Sequence, residues 1–379
     1  MSPPRILILS AAIGEGHDLP ARVLAEDIRS RAPAAVVEIV DSLELMDPLL
    51  RRAVLRSAGA EGLLGNLLFD LNHWLIASFG PTRALTSRLI EAAAGRRLRA
   101  LVAQWRPSAV VATYPGASEV LGRLRAKGAL EVPVASAITD LASLRYWAHP
   151  GVDLHLVTHP ESAAEVRAVA PGARVVAARG MNLPDFLEPR DRDAARAALG
   201  LPPQGTVVVV SGGGWAVGDL DGATEAVLAL GAATAVVLTG RNPEARERLE
   251  RRYTGESRVR VLGFTEQMPD LLAGADALVH STAGLTVLEA HCLGCPVISY
   301  GWGKGHIRAN NRAFERFGLA RVAPDRASLP AALRAAVARR GEPDRSFASL
   351  PLAACLVLDL VESGASTGLA PALELAQGG

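Results

Sequence analysis

Short apolar runs recur along this chain in two series, each run separated from the next by a stretch with helical periodicity. The first series covers 5–10, 36–41, 109–113, 134–139, 154–158 and 174–177. The second covers 206–211, 235–239, 259–262, 277–280 and 296–299. Runs such as Ile-Leu-Ile-Leu and Val-Val-Val-Val suit strands buried on both faces, and strands joined through helices lie parallel. Two such series predict an α/β chain with two Rossmann-like halves. The length, 379 residues, exceeds one ordinary core and suits two domains. The segment 181–192, Met-Asn-Leu-Pro-Asp-Phe-Leu-Glu-Pro-Arg-Asp-Arg, has the prolines and charges of a linker. The expected organisation is a first domain over 1–180, a linker over 181–192, a second domain over 193–345, and a helical segment with its tail over 346–379. The helices of that last segment are expected to pack back across the junction.

Bulk properties exclude several classes. A formal net charge of +1 leaves no electrostatic footprint for a nucleic acid. Cys292, Cys295 and Cys355 are too few for a disulfide framework and fit a reducing cytoplasm. The apolar N-terminus continues into an αβ pattern, which makes it a first strand rather than a signal peptide. No run of about 18 apolar residues is present to span a membrane.

The segment 261–290 speaks most directly to function. It reads strand, helix, strand, turn, helix, and the turn Ser281-Thr282-Ala283-Gly284 sets small and hydroxyl residues where a helix begins. A helix start presents unpaired N–H groups and the positive end of a dipole, which suits a diphosphate. One turn in, Glu289 supplies a carboxylate able to accept two hydrogen bonds from a ribose diol. Spacing alone equally permits an ordinary βα turn.

Three other turns follow strands. Ser10-Ala11-Ala12-Ile13-Gly14-Glu15-Gly16-His17 lacks the G-x-G-x-x-G spacing but ends in a histidine, either a proton acceptor in a crevice or a helix cap. Ser211-Gly212-Gly213-Gly214 lets a ligand approach the backbone closely. Gly301-Trp302-Gly303-Lys304-Gly305-His306, followed by Asn310 and Asn311, can wrap a sugar.

Two apparent metal motifs have simpler readings. Asp219-Leu220-Asp221 sits at an expected helix start, where aspartates cap. Cys292-Leu293-Gly294-Cys295 has no second pair and reads as a helix end, so no metal site is expected. The stretch 49–106 is helical, apolar around Leu63, Phe69, Trp74 and Phe79, and carries nine arginines. Such a region can lie on an anionic membrane or form an internal helix pair with solvated arginines.

Taken in order, these landmarks resemble GT-B glycosyltransferases of the MurG and monogalactosyldiacylglycerol synthase group, and among them the processive diacylglycerol glycosyltransferases. The resemblance runs from about Arg5 to Val322. It rests on Gly14-Glu15-Gly16-His17, Thr113-Tyr114-Pro115, Ile138-Thr139-Asp140 with Trp147 and His149, and Gly212-Gly213-Gly214. It continues through Thr239-Gly240-Arg241-Asn242, Leu262-Gly263-Phe264, Met268, Thr282-Ala283-Gly284-Leu285-Thr286, Glu289, Asn310 and Gly318.

The resemblance implies two Rossmann-like domains whose parallel sheets face a central cleft. It implies His17 as catalytic base and Asp140 as an acceptor-side residue. Glu289 would bind the ribose and the backbone around Phe264 the uracil. Gly213, Gly214 and the turn at Gly284, Leu285 and Thr286 would hold the diphosphate. Gly16, Arg241, Thr282, His306 and Asn310 would complete the donor site. The family's Pro-Gly-Gln-Glu loop is replaced by Gly303-Lys304-Gly305-His306, with His306 where a glutamine contacts sugar hydroxyls, which leaves the donor sugar open.

The expected activity is inverting transfer of a hexose from a UDP-sugar to a hydroxyl acceptor, with no cofactor beyond the co-substrate. Diacylglycerol or a related lipid is the expected acceptor. The setting would be cytoplasmic, peripheral on the inner face of the cell membrane through 49–106. A soluble or peptidoglycan-precursor acceptor, and a UDP-sugar 2-epimerase-like enzyme of the same fold, stand as alternatives.

Overall fold

A computed structural model describes residues 3–12, 15–48, 51–52, 80–282, 284–301, 303 and 306–367. Most of the basic apolar stretch, 53–79, lies outside the described residues. The first half contains β1 (Arg5–Ser10), α1 (Glu15–Arg31), β2 (Val36–Asp41), α2 (Gly80–Trp105), β3 (Ala109–Ala112), α3 (Pro115–Ala126), β4 (Val134–Ile138), β5 (Leu154–Val157), α4 (Ser162–Val169) and β6 (Val175–Ala177). Its six strands form one parallel sheet in the order β2-β1-β3-β4-β5-β6.

The second half begins with α5 (Arg192–Leu199), β7 (Val207–Ser211), α6 (Leu220–Leu228), β8 (Thr234–Leu238), α7 (Pro243–Arg252) and β9 (Val259–Leu262). It continues with α8 (Met268–Gly274), β10 (Ala277–His280), α9 (Thr286–Cys292), β11 (Val297–Tyr300), α10 (His306–Arg316), β12 (Arg321–Ala323), α11 (Leu329–Val337) and α12 (Ala353–Thr367). These strands form a second parallel sheet in the order β12-β11-β10-β7-β8-β9.

Alternation along the strands explains why both faces are covered. In β1, Ile6 and Ile8 join a core with Leu24 and Ile28 of α1, while Leu7 and Leu9 join a core with Val120, Leu121 and Leu124 of α3. In β7, Val207 and Val209 face one layer and Val208 and Val210 the other. Successive side chains of a strand point to opposite faces, so an unbroken apolar run requires a layer on each side. The observed strands match the expected runs to within one residue at each end. The exception is β12, a three-residue edge strand of Arg321, Val322 and Ala323 that has too little apolar length to register as periodicity.

The halves share a continuous apolar junction. Leu141 and Ala142 from the first half sit in one core with Ala313, Phe314 and Leu319 from the second. The chain then crosses back. The Arg179 N–H donates to the Pro351 carbonyl at 3.0 Å and the Ala353 N–H to the Arg179 carbonyl at 2.8 Å. These bonds seat α12 so that Ala353, Ala354, Val357 and Leu360 pack in the core built on α1.

The strand orders fix where a ligand can sit. From β1 the chain moves outward to β2 and then returns to β3 on the other side, so crossovers diverge between β1 and β3. The same divergence separates β7 from β10. At such a switch point the loops leave in opposite directions and open a crevice at the carboxyl ends of the strands.

Candidate active site

The crevice of the second sheet is built from backbone turns in close contact. Ser211 and His280 end the neighbouring strands β7 and β10 in register, and the Ser281 N–H donates to the Ser211 carbonyl at 3.1 Å. A Cβ placed on Gly213 would lie 3.1 Å from the Thr282 Oγ1, and one on Gly218 would lie 2.5 Å from the Ser281 Cβ. A Cβ on Gly240, after β8, would lie 2.4 Å from the Gly214 carbonyl oxygen. The Arg241 N–H reaches that same carbonyl at 2.7 Å. Three turns thus meet where side chains have no room.

This contact makes Gly240 testable. Its φ is +56°, a left-handed conformation that costs an L-residue roughly 1–2 kcal/mol, and the overlap with Gly214 adds to that. Gly240→Ala is expected to lower unfolding stability by at least this amount, read by denaturant titration. An unchanged stability would mean that the turns do not depend on one another.

After the turn, α9 begins at Thr286 with no side-chain cap on its first amides. Gly284 has φ +131° and open space where a Cβ would be. Leu285 is buried in the junction core, so anything it offers a ligand comes from its backbone. Ala283 lies outside the described residues. Thr282 Oγ1 is 2.8 Å from Nε2 of His280. Complete burial pushes that imidazole down to about 4, so it is neutral at physiological pH. His280 reads in sequence as the last residue of an apolar strand; its place beside a hydroxyl-rich turn was the signal that it positions Thr282.

Glu289 projects from the first turn of α9 and is only 5% exposed. Burial pushes its carboxyl up to about 7, against the opposing effect of a hydrogen bond with Thr286. At the outer edge, Phe264 is 49% exposed and carries the Arg241 guanidinium 3.8 Å above its ring. Trp215 is also exposed beside this edge, and its carbonyl accepts from the Asn242 amide at 3.3 Å. Sequence reading passed over Trp215, although it directly follows the three glycines.

The loop after β11 is anchored from below. Ser299 Oγ donates to the Asn311 Oδ1 at 2.6 Å, and the Asn311 amide donates to the Gly301 carbonyl at 3.1 Å. Trp302, Lys304 and Gly305 lie outside the described residues. His306 begins α10, and its side chain lies outside them as well.

In the first sheet, Gly16 and His17 belong to the opening turn of α1, and residues 13–14 lie outside the described residues. His17 Nδ1 is 2.9 Å from the carbonyl oxygen of Thr113 at the end of β3. A carbonyl only accepts, so Nδ1 carries the hydrogen and a neutral ring has its basic lone pair on Nε2. The ring meets Tyr114 edge-on at 5.3 Å and Trp147 at 5.9 Å. Burial holds the Tyr114 phenol up at about 12, so it stays neutral. His17 therefore stands at the β1/β3 switch point with its tautomer set.

Asp140 follows β4. Its Oδ2 accepts from the Trp147 indole N–H at 2.9 Å and its Oδ1 from the Asn310 amide at 3.2 Å. The Asn310 Oδ1 accepts from the Leu141 N–H at 2.7 Å. Asn310, expected among the donor contacts, is fully buried, and its amide joins the two halves. The carboxyl edges of the two sheets meet here.

The apparent metal motifs resolve into ordinary structure. Asp219 caps α6 through the Gly222 N–H at 2.9 Å and accepts from the Tyr300 hydroxyl at 2.8 Å and from Arg326 at 2.6 and 2.8 Å. Partial burial raises its carboxyl, but these donors, Arg326 foremost, bring it down to about 2. The Cys292 and Cys295 thiols are pushed up to about 12 by burial and stay protonated.

Comparison with known proteins places this geometry. Residues 17–174 match the family described as monogalactosyldiacylglycerol (MGDG) synthase, and residues 206–338 match glycosyl transferases group 1. The processive diacylglycerol beta-glucosyltransferase of Bacillus pumilus (strain SAFR-032) is 23% identical over 321 residues, covering 84% of this chain and 82% of the relative. The enzyme of the same name from Bacillus subtilis (strain 168) is 23% identical over 84% of this chain and 83% of its own length. Among solved structures, Acinetobacter baumannii MurG aligns with a TM-score of 0.56 at 15% identity, over 95% of this chain and 100% of that one. The spinosyn rhamnosyltransferase SpnG aligns with a TM-score of 0.62 at 16% identity, over 95% and 100%.

Two parallel six-stranded sheets meeting at their carboxyl edges, with these matches, make the chain a glycosyltransferase of the GT-B fold. Within that class its first half is similar to the monogalactosyldiacylglycerol synthases and its second half to the glycosyl transferases group 1.

Proposed function

We propose that this glycosyltransferase moves a hexose from a UDP-sugar to the hydroxyl of diacylglycerol or a related lipid, with inversion at the anomeric carbon. The observation that carries the reading is His17, its tautomer set by the Thr113 carbonyl, at one switch point. At the other stands a crevice of glycine turns ending in the buried carboxylate Glu289. The names of the Bacillus relatives support the lipid acceptor. A solved neighbour in complex with thymidine diphosphate supports a nucleoside diphosphate donor.

In this reading the acceptor hydroxyl attacks the anomeric carbon as its proton passes to Nε2 of His17, and the bond to the β-phosphate oxygen breaks. Charge gathering on the departing diphosphate is met by amides of the Gly213–Gly214 turn, by the Thr282 hydroxyl and by the uncapped start of α9. Donors fixed in place before the reaction cost no reorganisation as that charge appears. No cofactor is required. Glu289 accepts from the ribose diol, and the Arg241–Phe264 pair borders the base.

The membrane side of the proposal rests on α2. Leu85 and Leu89, one turn apart, are 57% and 58% exposed on either side of Arg88. An apolar stripe flanked by arginine suits an anionic surface. No helix among the described residues is long and apolar enough to cross a membrane. Peripheral attachment at the inner face of the cell membrane follows from the proposal.

The test is UDP release from UDP-glucose, UDP-galactose and UDP-N-acetylglucosamine, with and without anionic vesicles carrying diacylglycerol. Release that depends on diacylglycerol, with glycolipid formed, is the expected result. Release dependent only on a soluble acceptor would replace the lipid reading. Sugar interconversion without any acceptor would replace transfer with epimerisation.

A further inference from the structure

We propose that Asn310, Asp140 and Trp147 form a positioning relay, which sets His17 in its working orientation only when the two halves are engaged. The inference rests on the reading of His17 as the base. Each link is a contact already described. Asn310, on the helix that follows the β11 loop, holds the Leu141 N–H and Asp140 from across the junction. Asp140 spends its other oxygen on the Trp147 indole. Trp147 is almost wholly buried and lies against the His17 ring at 5.9 Å.

The geometry distinguishes this relay from a simple interdomain bond. Asn310 satisfies a backbone N–H and a carboxylate at once, and both contacts fix its position. With Oδ1 held by Asn310, the plane of the Asp140 carboxylate is fixed, and so is the direction from which the indole N–H can reach Oδ2. That direction sets the tilt of the Trp147 ring beside His17. Tyr114 meets the imidazole in a T-shaped contact, and the Thr113 carbonyl holds its Nδ1. If the halves part, Asp140 loses an anchor, Trp147 loses its orientation, and Nε2 is no longer held. The base would then be in register only when the donor half is docked, which limits deprotonation of water, and so hydrolysis of the donor, in an open enzyme.

Asp140 and Asn310 are therefore positioning residues. Trp147→Phe keeps a ring beside His17 and leaves both interdomain bonds intact, but removes the indole N–H. Asp140→Asn keeps size while placing an amide N–H opposite another donor. Asn310→Asp sets two carboxylates against each other. The double variant Asp140→Asn with Asn310→Asp restores a donor and an acceptor at each contact.

The measurement is kcat, donor KM and the UDP dissociation constant for the three single variants and the double variant. It is accompanied by the His17 Cε1–H resonance in histidine-labelled protein. We expect each single variant to lower kcat by roughly ten- to a hundredfold, the scale of a misplaced reacting group, with UDP affinity within about twofold. The His17 resonance shifts in all three, and the double variant recovers kcat. Non-additivity of this kind marks residues that share one network.

A Trp147→Phe variant with unchanged kcat and an unchanged His17 resonance would reduce the contact to domain adhesion and overturn the proposal. So would an Asn310→Asp variant that raises donor KM with kcat untouched, since Asn310 would then be a donor contact. His17→Ala belongs in the same set. Full activity there overturns the base reading, whereas an inactive His17→Ala beside a silent Trp147→Phe overturns the relay alone.

Discussion

His17→Ala lowers kcat by roughly a hundred- to ten-thousandfold, the range of a lost general base, and leaves the UDP dissociation constant within about twofold. The separation follows from position. His17 belongs to the first sheet's switch point, held by Thr113 and bounded by Tyr114 and Trp147. The glycine turns and Glu289 belong to the second sheet. Removing the imidazole takes away the proposed proton acceptor and leaves the crevice of the other half unaltered. Loss of a group that acts only as the hydroxyl is deprotonated lowers kcat and kcat/KM together without weakening ground-state binding. Steady-state kinetics beside calorimetric UDP titration checks this. A collapse of UDP affinity in the variant would make His17 a donor or scaffold residue.

Glu289→Ala does the reverse. Losing a charged acceptor of two hydroxyl hydrogen bonds costs about 2–4 kcal/mol of nucleotide binding, or roughly 30- to 1,000-fold in the dissociation constant. The proton on Glu289 makes this binding pH-dependent. Burial raises the empty site's carboxyl to about 7. To accept from both hydroxyls it must be ionised, so binding lowers its pKa and releases a proton. UDP affinity therefore rises as pH climbs to about 7 and levels off above it. Below that point it falls by up to roughly tenfold per pH unit.

UDP itself titrates in this range, so the quantity to measure is the difference between wild type and Glu289→Gln across pH 5.5 to 8.5, in units of log Kd. A flat difference would mean that Glu289 is not the diol acceptor. The same group carries a stability consequence. Its folded pKa lies above the ordinary value of 4.5, so the empty protein loses stability through this residue as pH rises from 4.5 towards about 7. Over that window the unfolded chain has already released the proton.

Much of this architecture was legible in the chain because buried parallel strands need unbroken apolar runs. Val207–Ser211 and Ala277–His280 are visible in the letters for that reason. The edge strand Arg321–Ala323 was not, because its first residue faces solvent and its pairing with β11 is supplied by the neighbour. The glycine turns were legible as turns. That Gly213 touches Thr282 and Gly240 touches Gly214 depends on strand order, which spacing does not encode.

The same limit applies to the site. His17 could be singled out, but its partner Thr113 is 96 residues away. Asn310 and Asp140 are 170 apart, and each was assigned to a different substrate. The raised pKa of Glu289 comes from burial by the surrounding fold and leaves no local trace. The Asp219-Leu220-Asp221 motif was read correctly as a cap, since its aspartate precedes a helical pattern. Its ion pair with Arg326 joins residues 107 apart and was not visible.

A crystal structure of the protein with UDP bound tests the central claim most directly. The ribose diol should lie within hydrogen-bonding distance of both Glu289 carboxylate oxygens. The diphosphate should rest between the Gly213–Gly214 turn and Thr282, with His17 across the gap. A nucleotide seated at the first sheet's crevice, or a Glu289 carboxylate turned away from the ribose, would contradict it.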